Sequence, residues 1–319
     1  MTNPPRGAVV PYVFLMLAAL LLWLATGLTP AAAAVPGGDG AEGGPAGALR
    51  AQHLVMRDQL ASNPFRRPLV MTSSQTSDAV KGDIHAVVPF PFETVRQALG
   101  APQGWCEILN LHLNTKYCKT RQDAQATALL MNVGKKVDQP LGDSYRLAFA
   151  WQLTDQTADY LRVLLTAADG PLSTRDYRIA LEAVPLPDGT TFLHLSYAYG
   201  YGMTGKIAML AYFNTVGRVK VGFTVTGRDA DGQPAYIDGM RGLVERNTMR
   251  YYIAIDAFLG ALAVPQNVRF EKRINDWFTA SERYPRQLHE MEQADYLDMK
   301  RKEYRRQQLG ETAQAQDLG

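Results

Sequence analysis

The 319-residue chain has only two cysteines, only five histidines and almost no net charge, with 33 Lys and Arg against 31 Asp and Glu. Each scarcity removes a class of function. Acids and bases alternate over most of the length, so the basic stripe that a nucleic-acid partner needs is missing and no such partner is expected. His53, His85, His112, His194 and His289 form no metal motif with one another, and no histidine or further cysteine stands at ligand spacing around Cys106 and Cys118. Neither a metal nor a cofactor is expected. The run Tyr199-Gly200-Tyr201-Gly202-Met203-Thr204-Gly205 lacks the Gly-Lys-Ser/Thr ending and the strand-to-helix setting of a phosphate loop. His194 shares a strand with Phe192 and Ser196, but as a general base it would need an acid or nucleophile within reach, and no spacing reveals one.

What is present begins at the N-terminus. Behind the single charge of Arg6, Ala8 to Leu28 form an apolar run without one ionisable side chain. About 20 apolar residues can span a bilayer, while a secretory core is nearer 7 to 15, so length alone leaves an anchor and an export signal open. The flank Thr29-Pro30-Ala31-Ala32-Ala33-Ala34-Val35 places small Ala32 and Ala34 where signal peptidase requires them for a cut after Ala34, and Pro11 suits a transient segment better than a permanent helix. Residues 1–34 are read as a signal peptide, with an uncleaved anchor as the alternative. The Ala, Gly and Pro loading is of a bacterial kind, so the expected location is the periplasm or outside, or the inner membrane facing the periplasm if the anchor is kept. Residues 35–47 are a Gly/Ala/Pro linker, too poor in large apolar groups to bury a core. In an oxidising compartment an even cysteine count makes a Cys106–Cys118 disulfide the default, with two buried thiols as the alternative. Closing so short a loop is worth on the order of 3 kcal/mol.

Residues 48–284 are read as one domain. The spacing predicts a helix over 48–61, strands over 69–77 and 78–88, a helix over 92–99 and a further turn or two over 105–111. Strand then follows strand from Leu113 to Thr226: Tyr145, Leu147, Phe149, Trp151 and Leu153 alternate in one, Leu161, Val163 and Leu165 in the next, Tyr177, Ile179 and Leu181 in a third. Phe192 to Tyr199 make another, and Val219 to Thr226 are expected to close the series. One face of each strand is much more apolar than the other, as in an antiparallel sheet covered on a single side. Ile237 to Ala263 contain no proline and carry Met240, Val244, Asn247, Tyr251, Ile255, Phe258 and Leu262 at helical spacing. A helix of that length is about 40 Å long and can cross the whole sheet. The fold class expected is α+β, a curved antiparallel sheet wrapped around a long C-terminal helix. The glycine-bounded loop and the apolar Lys206 to Asn214 after it form either a lid or a packed connection. Residues 285–319 are read as a charged helical tail, whose cluster Lys300-Arg301-Lys302 with Arg305-Arg306 is either solvated or attracted to anionic headgroups at a membrane surface.

The stretch Gly170-Pro171-Leu172-Ser173-Thr174-Arg175-Asp176-Tyr177 resembles the START lipid-transfer domains, whose central strand commonly opens with an Arg-Asp-aromatic triplet after a Pro-containing turn. The element order from Gly82 to about Leu262 is similar to that of the wider START-related, Bet v 1-like superfamily of helix-grip proteins. The resemblance covers most of the mature chain and rests on three residues and an order of elements. It implies a cavity between sheet and final helix that holds a lipid or another hydrophobic small molecule, with the face of Arg175, Tyr177, Ile179 and Leu181 turned into it. Steroid-type members often place a second arginine six residues after the first; that position is Leu181, which puts a sterol in doubt. The candidate ligand-binding residues are Phe149, Trp151, Arg175, Tyr177, Tyr197, Tyr199, Phe223, Tyr251 and Phe258. Wide aromatic walls with a few polar tips suit a large apolar ligand, and the same residues would also fill a packed core. Binding without chemistry is the function expected, and no catalytic residue is named. The alternatives are an enzyme of the same superfamily acting on a hydrophobic substrate, and a non-catalytic interaction protein at the membrane surface.

Overall fold

The computed structural model describes residues 43–202 and 220–309. The signal and most of the linker, the lid stretch from Met203 onward and residues 310–319 lie outside them. Pro45, whose fixed φ suits a first helical turn, starts α1 (Pro45–Ala61), slightly before the periodicity begins. β1 (Leu69–Gln75) and β2 (Ala79–Val88) form an antiparallel hairpin with Leu69 opposite Ala86. α2 (Phe92–Leu99) and α3 (Pro102–Leu109) then carry the chain to the far edge of the sheet, each burying an apolar stripe, Phe92, Val95 and Leu99 in α2. A meander returns from there: β3 (Thr115–Gln122), β4 (Thr127–Val133), β5 (Tyr145–Gln156), β6 (Leu161–Asp169), β7 (Thr174–Pro185) and β8 (Thr191–Tyr201). β8 closes on β2, giving an eight-stranded antiparallel sheet in the order β1-β2-β8-β7-β6-β5-β4-β3.

The stretch expected to close the series does not join this sheet. β9 (Val225–Arg228) pairs with β10 (Pro234–Tyr236) in a separate two-stranded ribbon. All four β9 residues are exposed, so it has no apolar face laid against the core.

Alternation assigns the faces. Val80, Gly82 and Ile84 of β2 stand opposite Tyr199, Tyr197 and Leu195 of β8, and this concave face is gripped by α4 (Gly239–Gly260). Gly82 is where the helix comes closest, since a Cβ there would collide with the Thr248 side chain. α4 is buried on nearly every side because a second layer covers its back: α5 (Gln266–Ser281), α6 (Pro285–Leu288) and α7 (Gln293–Gln308). Trp277 of α5 is buried and its indole N–H donates to the Arg250 carbonyl of α4 at 3.2 Å. α1 packs on the other, convex face, where Leu49 and Leu60 meet Tyr160, Val184 and Phe192. The α+β helix grip read from the sequence is therefore the architecture of the chain.

The charged tail read from residue 285 onward is instead part of this body as far as Leu309. Tyr296 and Met299 are buried, Tyr296 stacks on Trp277 at 4.9 Å, and its hydroxyl donates to the Leu111 carbonyl at 2.9 Å. Lys300 is buried as well; its ammonium donates to the carbonyls of His112 and Thr115 and pairs with Glu303 at 2.7 Å. Arg301 pairs with Glu271 at 2.9 Å and Lys302 with Asp138 at 2.9 Å. Of the basic cluster, Lys300 is thus buried, and Arg301 and Lys302 are ion-paired within the body. A short apolar stripe hidden among many charges is what the composition concealed. Cys106 and Cys118 form the expected disulfide, Cα atoms 5.3 Å apart, tying α3 to β3, and Gln307 of α7 hydrogen-bonds the Cys118 backbone. Among the described residues no helix is long and apolar enough to cross a membrane.

Candidate functional site

Two residues apart on β8, Tyr197 and Tyr199 project from the same face, and their ring centroids lie 5.6 Å apart. Tyr177 of β7 stacks on Tyr199 at 5.3 Å, and Phe149 of β5 meets Tyr177 edge-on at 6.3 Å. From the facing helix, Tyr251 meets Tyr197 edge-on at 5.1 Å, and His112, in the turn after α3, stacks on Tyr251 at 5.1 Å. Five of the predicted residues, drawn from four elements, therefore make one aromatic wall inside the grip. Burial raises the pKa of Tyr177, Tyr197, Tyr199 and Tyr251 above the ordinary phenol value, and neighbouring tyrosines push the last three further. They are neutral hydroxyl tips at physiological pH. Trp151 lies on the same face, opposite Leu165 and Thr127. It is half-buried, and its indole Nε1 is buried without a hydrogen-bond partner among the described residues.

Three predicted residues fall elsewhere. Between Arg175 and Arg178, β7 has one residue more than β8 has between Gly200 and Ala198, and Asp176 takes φ 53°. That bulge turns Arg175 onto the convex side, away from Tyr177. There it pairs with Asp78 at 3.3 Å and Asp176 at 3.2 Å, its side chain 42% exposed. Phe223 precedes the β9–β10 ribbon and packs on Phe65 at 5.7 Å and Tyr284 at 5.4 Å. Phe258, near the C-terminal end of α4, lines a cavity of about 660 Å³ beside the disulfide, together with Ala98, Leu262, Phe270 and Tyr304. The Arg273 guanidinium lies 4.7 Å over its ring.

Sequence reasoning passed over the charges at the end of the wall. Arg250, next to Tyr251, is buried and pairs with Glu290 at 2.7 Å, also donating to Asn247 Oδ1 at 3.3 Å and to the Leu288 carbonyl at 3.4 Å. Lys136 reaches the same Glu290 at 2.5 Å and Lys220 at 3.4 Å. Arg246, one turn before Arg250, is buried and donates to the Val221 carbonyl at 3.1 Å. Burial, then the Arg250 charge, lowers the Lys136 pKa to about 8. Burial works to raise the Glu290 pKa, but Arg250, Lys136 and Lys220 outweigh it and hold the carboxyl below its ordinary range. His112 is held well below the usual imidazole value by burial and then by Arg250 and two lysines, which makes it neutral. Arg246 and Arg250, four apart in a helix of mostly apolar neighbours, were a visible signal. Lys136, Lys220 and Glu290 come from three separate loops, and no local pattern joins them.

No protein-family model matches the chain, and no curated protein matches it. Solved structures do. Human StAR-related lipid transfer protein 5 is 9% identical over 69% of this chain and 96% of its own, with a TM-score of 0.35. An aromatase/cyclase from Streptomyces is 15% identical over 60% of this chain and 93% of its own, with a TM-score of 0.32. Norcoclaurine synthase from Thalictrum flavum, in complex with dopamine and hydroxybenzaldehyde, is 12% identical over 45% of this chain and 77% of its own, with a TM-score of 0.31. The fold is START-like. That rests on the strand order, the two helices between β2 and β3 and the long gripping helix, since identities and scores this low carry nothing about a ligand.

The convex face of the START-like sheet holds a second polar cluster, under α1. His194 sits between two carboxylates, Nε2 at 2.8 Å from Asp83 and Nδ1 at 3.2 Å from Glu182, and stacks on His85 at 4.2 Å. Burial works against its charge, but Asp83 and Glu182 overcome this and raise its pKa. Burial and then the His194 charge lower His85 to about 4. Lys81 pairs with Asp83 at 2.9 Å, and the Tyr160 hydroxyl donates to Glu182. Both histidines are on the side away from the aromatic wall. Among the described residues no three of His, Cys, Asp or Glu are placed to hold a metal ion.

Proposed function

We propose that this chain is an exported START-like carrier or sensor that holds one hydrophobic molecule, a lipid, between the concave face of its sheet and α4, without covalent chemistry. The observation that carries the reading is the wall of Phe149, Tyr177, Tyr197, Tyr199 and Tyr251. It offers a broad apolar surface with neutral hydroxyl tips and no ionised group within it. Moving a lipid through water exposes its tails at about 0.8 kcal/mol per CH₂, and an apolar grip removes that cost in transit. Export rests on the Ala8–Leu28 run and its Ala32 and Ala34 flank. Intact-mass measurement on protein from its own host tests export, since a chain beginning at Val35 marks a free periplasmic carrier and an uncut one a tethered domain. Native mass spectrometry of the same material tests binding, because a carrier comes with a bound lipid and an empty protein in every preparation contradicts one.

One observation favours a second reading, an enzyme acting on a hydrophobic substrate in the same place. His112 is neutral, buried against Tyr251, and its Nε2 has no well-formed hydrogen-bond partner among the described residues. Turnover of the co-purified compound, lost in His112→Phe, would establish it; release of that compound unchanged supports the carrier.

A further inference from the structure

We propose that the cavity beside the disulfide is a second binding site, separate from the aromatic wall, and that it takes one small aromatic acid, a flat ring system carrying a carboxylate. The cavity, of about 660 Å³, lies between α3, β3, the C-terminal end of α4, α5 and α7, and none of Phe149, Tyr177, Tyr197, Tyr199 or Tyr251 lines it. That volume is in the range of small-molecule sites. Whether the grip carries a lipid has no bearing on it. Rings and amides make its surface. Phe270 of α5 and Tyr304 of α7 stack face to face at 3.9 Å with 14° between their planes, and Tyr304 is 40% exposed, so this pair is not closed into the core. Phe258 of α4 adds a third ring, and Gln103, Asn110, Gln266 and Gln308 add carboxamides, each both donor and acceptor. A flat ring gains from such walls beyond the area it buries.

The acidic group is read from Arg273, which also lines the cavity. Arg273 is buried, its guanidinium lies 4.7 Å over the Phe258 ring, and it pairs with Glu107. Its Nε is nevertheless buried without a hydrogen-bond partner among the described residues, and such a group in a folded chain calls for an explanation. Arg269, one turn earlier on the same helix and on the same lining, donates from Nε to the Val264 carbonyl at 3.0 Å and from Nη2 to the Leu262 carbonyl at 3.1 Å, which holds its charge in place. Burial, joined by the Arg269 charge, outweighs Glu107 and lowers the Arg273 pKa, and a further anion would oppose that shift. Glu303, the other carboxylate on the lining, is engaged by Lys116 at 3.0 Å and Lys300 at 2.7 Å. A guanidinium resting on a ring is a planar fork matched to a carboxylate, and the stacked pair beside it suits the ring that carries one.

Isothermal titration calorimetry of the delipidated full chain with naphthoate, its ring-saturated analogue decalin carboxylate and the alcohol naphthylmethanol tests both halves of the assignment. Naphthoate is expected to bind at least about tenfold more tightly than either. Equal binding of acid and alcohol overturns the acidic group, equal binding of flat and saturated rings overturns the aromatic class, and no binding of naphthoate overturns the site outright. None of these arms needs a variant to fold. Tyr304→Ala, at a partly exposed position, is expected to weaken naphthoate about fivefold, and Arg273→Gln to bring it down to the level of the alcohol. Unchanged affinity in both variants puts the probe elsewhere and overturns the site. Oleyl alcohol serves as competitor: a lipid held on the aromatic wall leaves naphthoate binding unchanged, whereas one-for-one displacement puts both in one space and overturns a second site. Naphthoate binding by a chain that takes no oleyl alcohol supports the cavity site while counting against the carrier reading.

Discussion

Each face of the sheet buries ionisable groups, and the two settle their charge differently. On the convex side His194, Lys81 and Arg162 meet two carboxylates, Asp83 and Glu182, and every ion pair joins opposite signs across neighbouring strands or within β2. On the concave side three cations share Glu290 and a fourth stands next to them. The convex cluster joins β2, β6, β7 and β8 beneath α1, whereas the concave one gathers α4 and two loops on a single carboxylate, Glu290.

Removing one partner of a buried pair should be costly on the convex face, and removing the partly exposed Lys136 on the concave one should not be. Glu182→Leu takes away one of the two carboxylates holding His194 and the acceptor of the Tyr160 hydroxyl, and is expected to cost about 3 kcal/mol in urea unfolding with ligand binding unchanged. Of comparable size is the acid response of His85. Its folded pKa of about 4 lies below the unfolded 6.5, so its contribution is complete above pH 6.5 and is lost as pH falls toward 4. That amounts to about 3 kcal/mol at 1.36 kcal/mol per unit. Thermal melts between pH 7 and 4 should show this slope, and His85→Phe should flatten it. Glu182, lowered to about 2 mainly by its bond to His194, adds its own loss only below pH 4.5.

Reducing Cys106–Cys118 frees α3 from β3 near the concave site and is expected to cost on the order of 3 kcal/mol, read as a lower melting temperature in reductant. Lys136→Met should act in the opposite sense and stabilise the ligand-free chain by about 1 kcal/mol, the partial exposure of the lysine keeping the effect small. The wild-type chain should gain stability as pH rises from about 8 toward 10, because the folded pKa values of Lys136 and Lys300, each about 8, lie below the unfolded 10.5. The variant should lose the Lys136 part of that gain. Smallest of all is Arg175→Ala, which removes a half-exposed ion pair on the convex side and is expected to change stability by less than about 0.5 kcal/mol and binding not at all. A large loss of binding there would make Arg175 a ligand contact after all.

By itself the amino-acid sequence determined the order of elements, the apolar face of each strand, the long helix and the pairing of the two cysteines. These follow from periods of two and of three to four residues, which register local burial directly. Phe149, Tyr177, Tyr197, Tyr199 and Tyr251 were legible for that reason: each sits on the apolar phase of its own element, and a common core brings them together. Tertiary structure decided everything that depends on where separate segments converge. One residue in the left-handed region at Asp176 moved Arg175 to the other face, and no glycine or turn signal stands at that position. Tyr296 and Met299 turned a charged tail into a packed helix because α5 and the turn after α3 offered a surface for them. The charge balance of each face is likewise a property of loops far apart in the chain. Coulomb interactions depend on distance in space, and a linear pattern does not contain that distance.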